Sequence, residues 1–372
     1  MVAVTTRKPG AQLKYREIEK DLREEIASGQ WKAGERLPGE YILAERYGVA
    51  YLTIRQAIAN LVEIGVLVRV RGKGTFVAET DRPKPMRATR RPMALLFPAN
   101  WQRIDPLYFP ELLEGFQQWT EASGHHTSRY NYDVAEDPEA LEPGSAVACL
   151  LLEEPHQELV ERLRDSGHYV LAINHYTGRR SIPSVRIDDA AGVEQAVDHL
   201  VGLGHQRIGF LLGNPGNLDA ADRLRGFRSA IKRHGLRKTA VEVGDGFEEF
   251  CGYGAAQTLL AAANRPTALV SASDLSALGA IKAARELGLS VPQDLSVVGF
   301  GDFSVSDYIV PRLTTVRQSR IALGRTAAEA LIQIANGEDI ADIVLTAELI
   351  LRDSTAPLIA EGERMAASAA NL

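Results

Sequence analysis

Cysteine is scarce in this chain, with two residues, Cys149 and Cys251, among 372. They stand far apart in the sequence, so they form neither a disulfide framework nor the paired cysteine spacing of a zinc site. This usage is typical of a protein from a reducing compartment.

Long apolar runs are also missing. The N-terminus, MVAVTTRKPGAQLKYREIEK, lacks the apolar run of roughly 7–15 residues that a secretory signal needs. No stretch approaches the roughly 18 consecutive apolar residues of a membrane-spanning helix. These absences, together with the cysteine content, predict a cytoplasmic protein.

The composition fits neither a disordered nor a fibrous chain, because hydrophobic residues make up 45% and charged residues 24%, near the averages of folded proteins. At roughly 100–200 residues per domain, the length predicts two or three domains. Residues 1–91 hold 18 Lys and Arg against 11 Asp and Glu, so they carry +7 and the remainder carries −13 of the net −6. Only the basic N-terminal part is therefore suited to a polyanion.

Hydrophobic periodicity near the N-terminus predicts three helices. Apolar residues recur every four positions over residues 13–26, and a glycine follows where a helix end is expected. A short second helix begins near Pro38. In a third helix Ile54, Ile58 and Leu61 share one face, so the polar side chains of this helix project elsewhere.

After the third helix the period changes to two in VLVRVRGKGTFV, which predicts a β-hairpin with its turn at GKG. Val68 and Val70 are expected on the face opposite Arg69 and Arg71. A helix, a helix-turn-helix and a hairpin in about 65 residues form the winged-helix arrangement, whose exposed helix and basic hairpin tip suit a major groove and the neighbouring phosphates.

Residues 79–92 contain three prolines among basic side chains, which predicts an extended linker. Beyond it, β-rich runs such as MALLF, YVLAI and ALVSA alternate with helical stretches, among them Tyr108 to Ala122 and Leu224 to His234. This alternation predicts an α/β fold with parallel sheets covered on both faces. The length favours two sheets side by side. The predicted organisation is a winged helix-turn-helix over 1–78, the linker, a two-lobed α/β domain over 93–356 and a tail over 357–372.

The run ERLPGEYILAERYGVAYLTIRQAIANLVEIGVLVRVRGKGTFV closely resembles the DNA-binding domain of the GntR family, over about residues 12–78. The family motifs LPSE, GVSR, TVR and GKGTFV are represented here by LPGE, GVAY, TIR and GKGTFV. The resemblance implies a double-stranded DNA operator as partner, contacted by seven residues: Tyr41, Tyr51, Thr53, Arg55, Arg71, Gly72 and Lys73.

Tyr41 and Tyr51 stand where the family usually has arginine. Tyrosine cannot make the bidentate guanidinium contact to guanine, so base recognition is expected to rely on Arg55, on tyrosine hydroxyls or on DNA shape. An alternative is a winged helix that serves only protein contacts, with Arg55 and Lys73 as solvated charges. A phosphate-binding loop does not fit, because GKG lacks both the following Ser or Thr and the earlier glycine.

The rest of the chain resembles the effector domain of the LacI/GalR type, which has a periplasmic-binding-protein-like fold. The resemblance rests on five runs within residues 93–356: YFPELLEGF, VRIDDAAGVEQAVDHLVGLGHQRIGFLLG, RLRGFRSAIKRHGL, ASDLSALGAIKAARELGLSVPQDLSVVGF and PRLTTVRQSRIALGRTAAEALI. A GntR-type head on such a body is the layout of the arabinose-repressor subfamily.

The resemblance to LacI/GalR domains also implies an effector site, formed by seven residues: Tyr108, Phe109, Asn174, Arg223, Phe247, Ser273 and Asp302. Ser273 stands where the family usually has Asn, and Gly301 stands where it usually has Asp, two groups that typically bind sugar hydroxyls. These departures weaken the case for a sugar effector, although the neighbouring Asp302 is suited to replace the missing carboxylate in part.

Structural roles are the alternatives at several of these positions. Arg223 is suited to pairing with an acidic neighbour, and Tyr108 and Phe109 to a place in the core. Asp189 and Asp274 stand immediately before helices and are expected to be N-caps rather than ligands.

The remaining chemistry-bearing residues give no sign of catalysis. His205 is expected to be structural and the adjacent His125 and His126 to be solvated, since no metal-ligand spacing surrounds them. The motifs GxSxG and HExxH are absent, and no GxGxxG opens a helix after a strand. We therefore expect neither a metal nor a cofactor, and no enzymatic activity.

The sequence thus predicts a homodimeric, ligand-responsive repressor of transcription, in which an effector closes a cleft between two lobes and changes how two heads sit on a two-fold operator. One alternative is a DNA-tethered enzyme with a pyridoxal-phosphate body, but the LacI/GalR-type runs occupy the length that such a body needs. Another is a sugar-binding transport protein, which leaves the basic head without a role.

Overall fold

The computed structural model describes residues 11–63, 66–70, 74–78, 91–97, 108–132, 141–150, 155–174 and 182–358. The chain divides into two compact units, Met1–Ala88 and Thr89–Leu372. The domain boundaries drawn from the sequence stay predictions, and most of the predicted linker and tail lies outside the described residues.

The first unit contains three helices and a hairpin: α1 (Ala11–Ala27), α2 (Glu40–Tyr47), α3 (Tyr51–Glu63), β1 (Leu67–Val70) and β2 (Gly74–Val77). The turn between α2 and α3 holds Gly48 at a φ of 60°, in the left-handed region that favours glycine. Ile54, Ile58 and Leu61 of α3 are fully buried, as their spacing predicts, and pack with Ile18 and Leu22 of α1.

The hairpin has the predicted period, but the side that faces the core is the one that carries Leu67. Leu67 is fully buried and lies opposite Val77 in the antiparallel register, whereas Val68 is 46% exposed. The apolar run before Arg69 allows either orientation, and burial of the larger leucine against the helices decides it. Leu67, and not Val68, therefore points to the core.

The second unit contains two six-stranded sheets, which confirm the α/β fold class. The first has the order β13-β7-β6-β5-β3-β4 and is parallel throughout. The second has the order β14-β12-β11-β10-β8-β9, with β14 antiparallel to β12. The strands are β3 (Met93–Phe97), β4 (Thr127–Asn131), β5 (Ala146–Leu150), β6 (Tyr169–Ile173), β7 (Ser184–Ile187), β8 (Ile208–Leu211), β9 (Val241–Val243), β10 (Ala268–Ser271), β11 (Ser296–Gly301), β12 (Thr314–Arg317), β13 (Ile343–Leu345) and β14 (Glu348–Ile350).

Helices alternate with these strands: α4 (Tyr108–Ala122), α5 (Pro155–Asp165), α6 (Asp189–Gly202), α7 (Leu218–Arg233), α8 (Glu249–Leu260), α9 (Asp274–Glu286), α10 (Val305–Tyr308) and α11 (Arg320–Ala335). Helices α4 and α11 pack closely, because Gly324 has no side chain. A Cβ atom there would lie 2.0 Å from the Leu112 carbonyl oxygen. Among the described residues, no helix is long and apolar enough to span a bilayer.

The chain crosses between the two sheets three times: after β7, after β12 and between β13 and β14. Each sheet with its helices forms one lobe of the second unit. The carboxyl ends of parallel strands are where ligands bind in open α/β folds, since loops and helix starts meet there.

Candidate functional site

A small cavity lies in the second unit. Tyr108 and Phe109 reach it from the start of α4 in the first lobe, and the other lining residues come from the second lobe and the connections to it. The lining consists of Tyr108, Phe109, Asn217, Asp219, Arg223, Phe247, Ser273, Phe300, Phe303 and Gln318.

Aromatic rings form much of the cavity wall. Tyr108 and Phe109 meet edge to face, with their ring centroids 5.6 Å apart. Both are buried and belong to the main hydrophobic cluster. The two residues are thus part of the core, the alternative given by the sequence, and also line the cavity. The ring centroid of Phe247, which was also predicted, lies 5.4 Å from the guanidinium carbon of Arg223. The ring centroid of Phe300 lies 4.2 Å from the same carbon.

Arg223 is buried in the cavity wall and paired with Asp189. Its Nε donates to Asp189 Oδ2 at 2.8 Å, and its Nη1 donates to the carbonyl oxygen of Ala272 at 2.7 Å. Gln318 Nε2 donates to Asp189 Oδ1 at 2.9 Å. Burial raises the pKa of Asp189, and the guanidinium and amide donors oppose that shift. Arg223 therefore pairs with an acidic neighbour, as one of the two alternatives given by the sequence has it.

The N-cap interpretation of Asp189 is wrong. Asp188 caps α6 instead, since its side chain accepts from Ala191 N at 3.1 Å. Asp189 is the first residue of the helix, and its carboxylate turns toward Arg223 and Gln318.

Asp219 also lines the cavity, although it was not selected from the sequence. Burial and the negative charge of Asp189 raise the pKa of Asp219 to about 8, with Arg223 opposing the shift. Asn174 Nδ2 lies 3.4 Å from Asp219 Oδ2. The signal available in the sequence is the spacing of four residues between Asp219 and Arg223, which places both on one helix face.

Asn174 acts behind the cavity wall and is not among the lining residues. It follows β6 with a φ of 72° and accepts a hydrogen bond from the Tyr108 hydroxyl at 2.8 Å. Burial, with the negative charges of Asp219 and Asp189, raises the pKa of Tyr108 well above its ordinary value.

Ser273 lines the cavity and, in place of Asp274, is the N-cap of α9. The Ser273 hydroxyl caps α9 by accepting from Ser276 N at 3.0 Å, and it donates to the Phe247 carbonyl. Asp274 is not the N-cap. Its carboxylate is fully buried and accepts from Phe303 N at 2.8 Å, from Ser306 Oγ at 2.7 Å and from Thr315 Oγ1 at 2.5 Å.

Asp302 is not among the residues that line the cavity. Its Oδ2 accepts from Arg317 Nε and its Oδ1 from Arg352 Nη2, both at 2.7 Å. Two arginines therefore hold the carboxylate that was expected to replace the missing family aspartate.

Two of the three histidines considered from the sequence, His205 and His125, are buried. His205 contacts Thr267 Oγ1 at 2.9 Å and Ser296 Oγ at 3.0 Å, in keeping with its predicted role. His126 is exposed, but His125 is buried, and this burial lowers the pKa of His125. The expectation that both are solvated is thus wrong for His125. Within the described ranges, no group of three or more His, Cys, Asp or Glu side chains is arranged to hold a metal ion.

In the first unit, four of the seven predicted DNA-contacting residues lie on α2 and α3. Arg55 is exposed on α3, and Thr53 is half-buried in its first turn. Tyr41 is 75% exposed and stacks on Tyr51, with ring centroids 4.4 Å apart. The other three predicted contacts, Arg71, Gly72 and Lys73, lie outside the described residues.

Comparison with known proteins gives the same two-part layout. Residues 14–77 match the model of the bacterial regulatory proteins of the gntR family, and residues 197–355 match a periplasmic binding protein-like domain. The chain is 31% identical over 376 residues to the arabinose metabolism transcriptional repressor of Geobacillus stearothermophilus, which covers 92% of this chain and 97% of that protein. It is 39% identical over 210 residues to the HTH-type transcriptional regulator MalR of Streptomyces coelicolor, covering 55% of this chain and 60% of that protein.

Among solved structures, a LacI family transcriptional regulator from Mycobacterium smegmatis matches with a TM-score of 0.60 and 30% identity, over 72% of this chain and 100% of that one. A winged helix-turn-helix and a two-lobed body with a cavity define the class of ligand-responsive transcriptional repressors. This chain belongs to the family of the arabinose metabolism transcriptional repressor, in which a GntR-type domain precedes a LacI-type domain.

Proposed function

We propose that this repressor binds a two-fold operator in the cytoplasm as a homodimer, and that a small polar effector, a sugar in the first instance, changes its operator affinity. The observation that carries this proposal is the cavity, where Tyr108 of the first lobe meets Arg223 and Asp219 of the second. A ligand that touches both lobes favours one placement of the lobes over another, and this preference is the coupling free energy that an allosteric effector needs. The chain acts by binding and not as an enzyme.

Polar groups at fixed positions among aromatic walls are suited to a small molecule with hydroxyl groups. Arg223 uses Nε and Nη1 within the protein, and we assign its Nη2 to the effector. Asp219, Asn217 and Gln318 supply further donors and acceptors, and the rings of Phe109 and Phe247 pack against the apolar face of the ligand. The Geobacillus relative is a repressor of arabinose metabolism, which supports pentoses as the first compounds to test.

The effector is found by thermal denaturation of the full chain with pentoses, hexoses, glycosides and nucleosides, because a ligand that binds the native state raises the melting temperature. Calorimetry then gives the affinity of each hit for the native chain and for Asp219→Asn. Asp222→Asn is the matched control, since Asp222 lies on the same helix and pairs with the exposed Arg225. We expect at least a tenfold loss for Asp219→Asn alone; equal affinities in all three proteins contradict this site.

We further propose that Tyr41, Tyr51, Thr53, Arg55, Arg71, Gly72 and Lys73 contact the operator. Arg55→Ala is expected to lower affinity for the operator more than for random DNA, by roughly 1–3 kcal/mol if the guanidinium reads a base edge. Arg228→Ala, which removes an exposed arginine from the second unit, is the control. Equal losses on both DNAs would restrict Arg55 to phosphate contact, and binding without salt dependence would argue against a DNA interface.

The dimer is proposed to form through the second unit. Three large apolar side chains of its second lobe are mostly exposed: Phe250 at 73%, Tyr308 at 85% and Val310 at 79%. Exposed apolar side chains on this scale are suited to a protein interface. Tyr308→Asp with Val310→Asp should give a monomer in sedimentation, whereas Val241→Asp, on the strand β9, should remain a dimer.

A further inference from the structure

The stacked rings of Tyr41 and Tyr51 form one exposed surface on the first unit, here called the tyrosine platform. Tyr41 lies in α2 and Tyr51 is the first residue of α3, so the platform joins the two helices of the helix-turn-helix. The ring planes differ by 20°, with centroids 4.4 Å apart. Because Tyr41 is 75% exposed, its ring is open to a partner.

Glu40 engages the polar end of this platform. Interaction of the Tyr51 hydroxyl with the Glu40 carboxylate raises the pKa of Tyr51. Arg69 of the hairpin forms an ion pair with the same carboxylate. Tyr51 is held beside this carboxylate and stacked on Tyr41, and what it offers to a partner is mainly ring surface.

Ring surface and a guanidinium recognise different features of a base pair. In the major groove guanine presents two acceptors, N7 and O6, which suit arginine, whereas thymine presents a 5-methyl group, which suits an apolar contact. We propose that the tyrosine platform selects thymine in the operator through its 5-methyl group. This inference rests on the proposed operator binding and specifies which base feature is recognised.

Arg55 fixes where the thymine should lie. It follows Tyr51 by four residues on α3, and side chains with that spacing are neighbours about 5–6 Å apart on one helix face. Successive bases of one strand are about 3.4 Å apart along the axis. The thymine is therefore expected within about two base pairs of a guanine contacted by Arg55.

The test begins with selection of duplexes from a random library by the full chain. In a selected duplex each thymine is then replaced in turn by uracil, which removes only the 5-methyl group. Burial of one such carbon is worth about 0.8 kcal/mol, so we expect about a fourfold loss of affinity at one contacted thymine and about 15-fold when both half-sites are changed.

Variants then assign the effect to the platform. In Tyr41→Arg, the uracil substitution should no longer matter, and a repeated selection should favour guanine at that position. Tyr41→Phe and Tyr51→Phe remove a hydroxyl and keep the ring, so both should retain the loss with uracil. Tyr41 is exposed, so its replacement leaves the core of the first unit unchanged.

Two results separate the inference from the function on which it rests. If no duplex is selected, both the operator binding and the thymine contact are overturned. If duplexes are selected but no uracil substitution weakens binding, or if Tyr41→Arg shows the same loss as the native chain, operator binding stands and the role of the tyrosine platform is overturned.

Discussion

Two buried aspartates begin helices in the second unit, Asp189 in α6 and Asp274 in α9, and their surroundings differ. Asp189 is held by the long side chains of Arg223 and Gln318, which also line the cavity. Asp274 is held by the backbone of Phe303 and by two short hydroxyl side chains. A charge pair whose arginine lines the cavity is in a position to respond to a ligand, whereas short neutral donors fix the interior of one lobe.

The largest effect is expected from Arg223→Ala, because it leaves the carboxylate of Asp189 buried without its cation. Removing one partner of a buried ion pair typically costs about 3–5 kcal/mol of unfolding free energy. Chemical denaturation measures the loss. Arg225→Ala removes an exposed arginine of the same helix and should cost about 0–1 kcal/mol. Similar losses in the two variants would mean that the Arg223 pair behaves as a surface contact.

The loss of stability in Arg223→Ala also bears on the effector. If Nη2 binds the ligand as proposed, calorimetry should show weaker effector binding in Arg223→Lys, which keeps a cation beside Asp189. An unchanged effector affinity in that variant would leave Arg223 with a structural role only.

Asp274→Ala should destabilise the chain by about 2–3 kcal/mol, because three buried donors lose their acceptor. The defect should stay within the second lobe, so effector affinity measured below the melting temperature should be retained. Asp307→Ala is the control, since that carboxylate is more than half exposed beside Arg312. A loss of effector binding in Asp274→Ala that matches Arg223→Lys would remove the distinction between the two aspartates.

Asp219→Asn tests whether burial of Asp219 near the charge of Asp189 makes the stability of the chain depend on pH. A pKa raised to about 8 means that the folded protein holds this proton more tightly than the unfolded chain. The unfolding free energy should therefore fall as the pH rises from about 4 to about 8, the range between the ordinary and the raised pKa. Asp219→Asn should flatten this fall and leave the variant more stable than the native chain at pH 8. If the unfolding free energy depends on pH in the same way in both proteins, Asp219 is not the titrating group.

The sequence predicts the elements of this fold best where hydrophobic periodicity is strong. YVLAI coincides with β6, and the helix predicted from Tyr108 to Ala122 has the observed bounds of α4. Helix α7 begins at Leu218, six positions before the predicted Leu224. Its first six residues, LDAADR, lack a clear apolar stripe, and the Asn217 cap stabilises this end. Helix α8 was not predicted, since EFCGYGAAQ has small residues in place of a clear apolar stripe.

The site is less accessible to sequence reasoning, because it depends on tertiary pairing. An aspartate before a helix favours an N-cap, yet the residues one position earlier, Asp188 and Ser273, make the capping bonds. Nothing local in the sequence reveals that Asp189 pairs with an arginine 34 residues later. Resemblance to a family selects Arg223, but only the fold shows what its nitrogens contact.

The smallest expected effect concerns the caps themselves. Ser273→Ala removes the acceptor for Ser276 N and the donor to the Phe247 carbonyl, and loss of an N-cap costs about 1 kcal/mol. Ser273→Asp retains a capping acceptor but brings a second carboxylate beside Asp274. Its stability relative to Ser273→Ala should therefore be lower above pH 5 than at pH 4. Asp188→Ala removes the cap of α6 and is the matched variant near Asp189. If Ser273→Ala costs clearly more than Asp188→Ala in chemical denaturation, the bond to Phe247 contributes beyond the cap and Ser273 helps to hold the aromatic wall of the cavity.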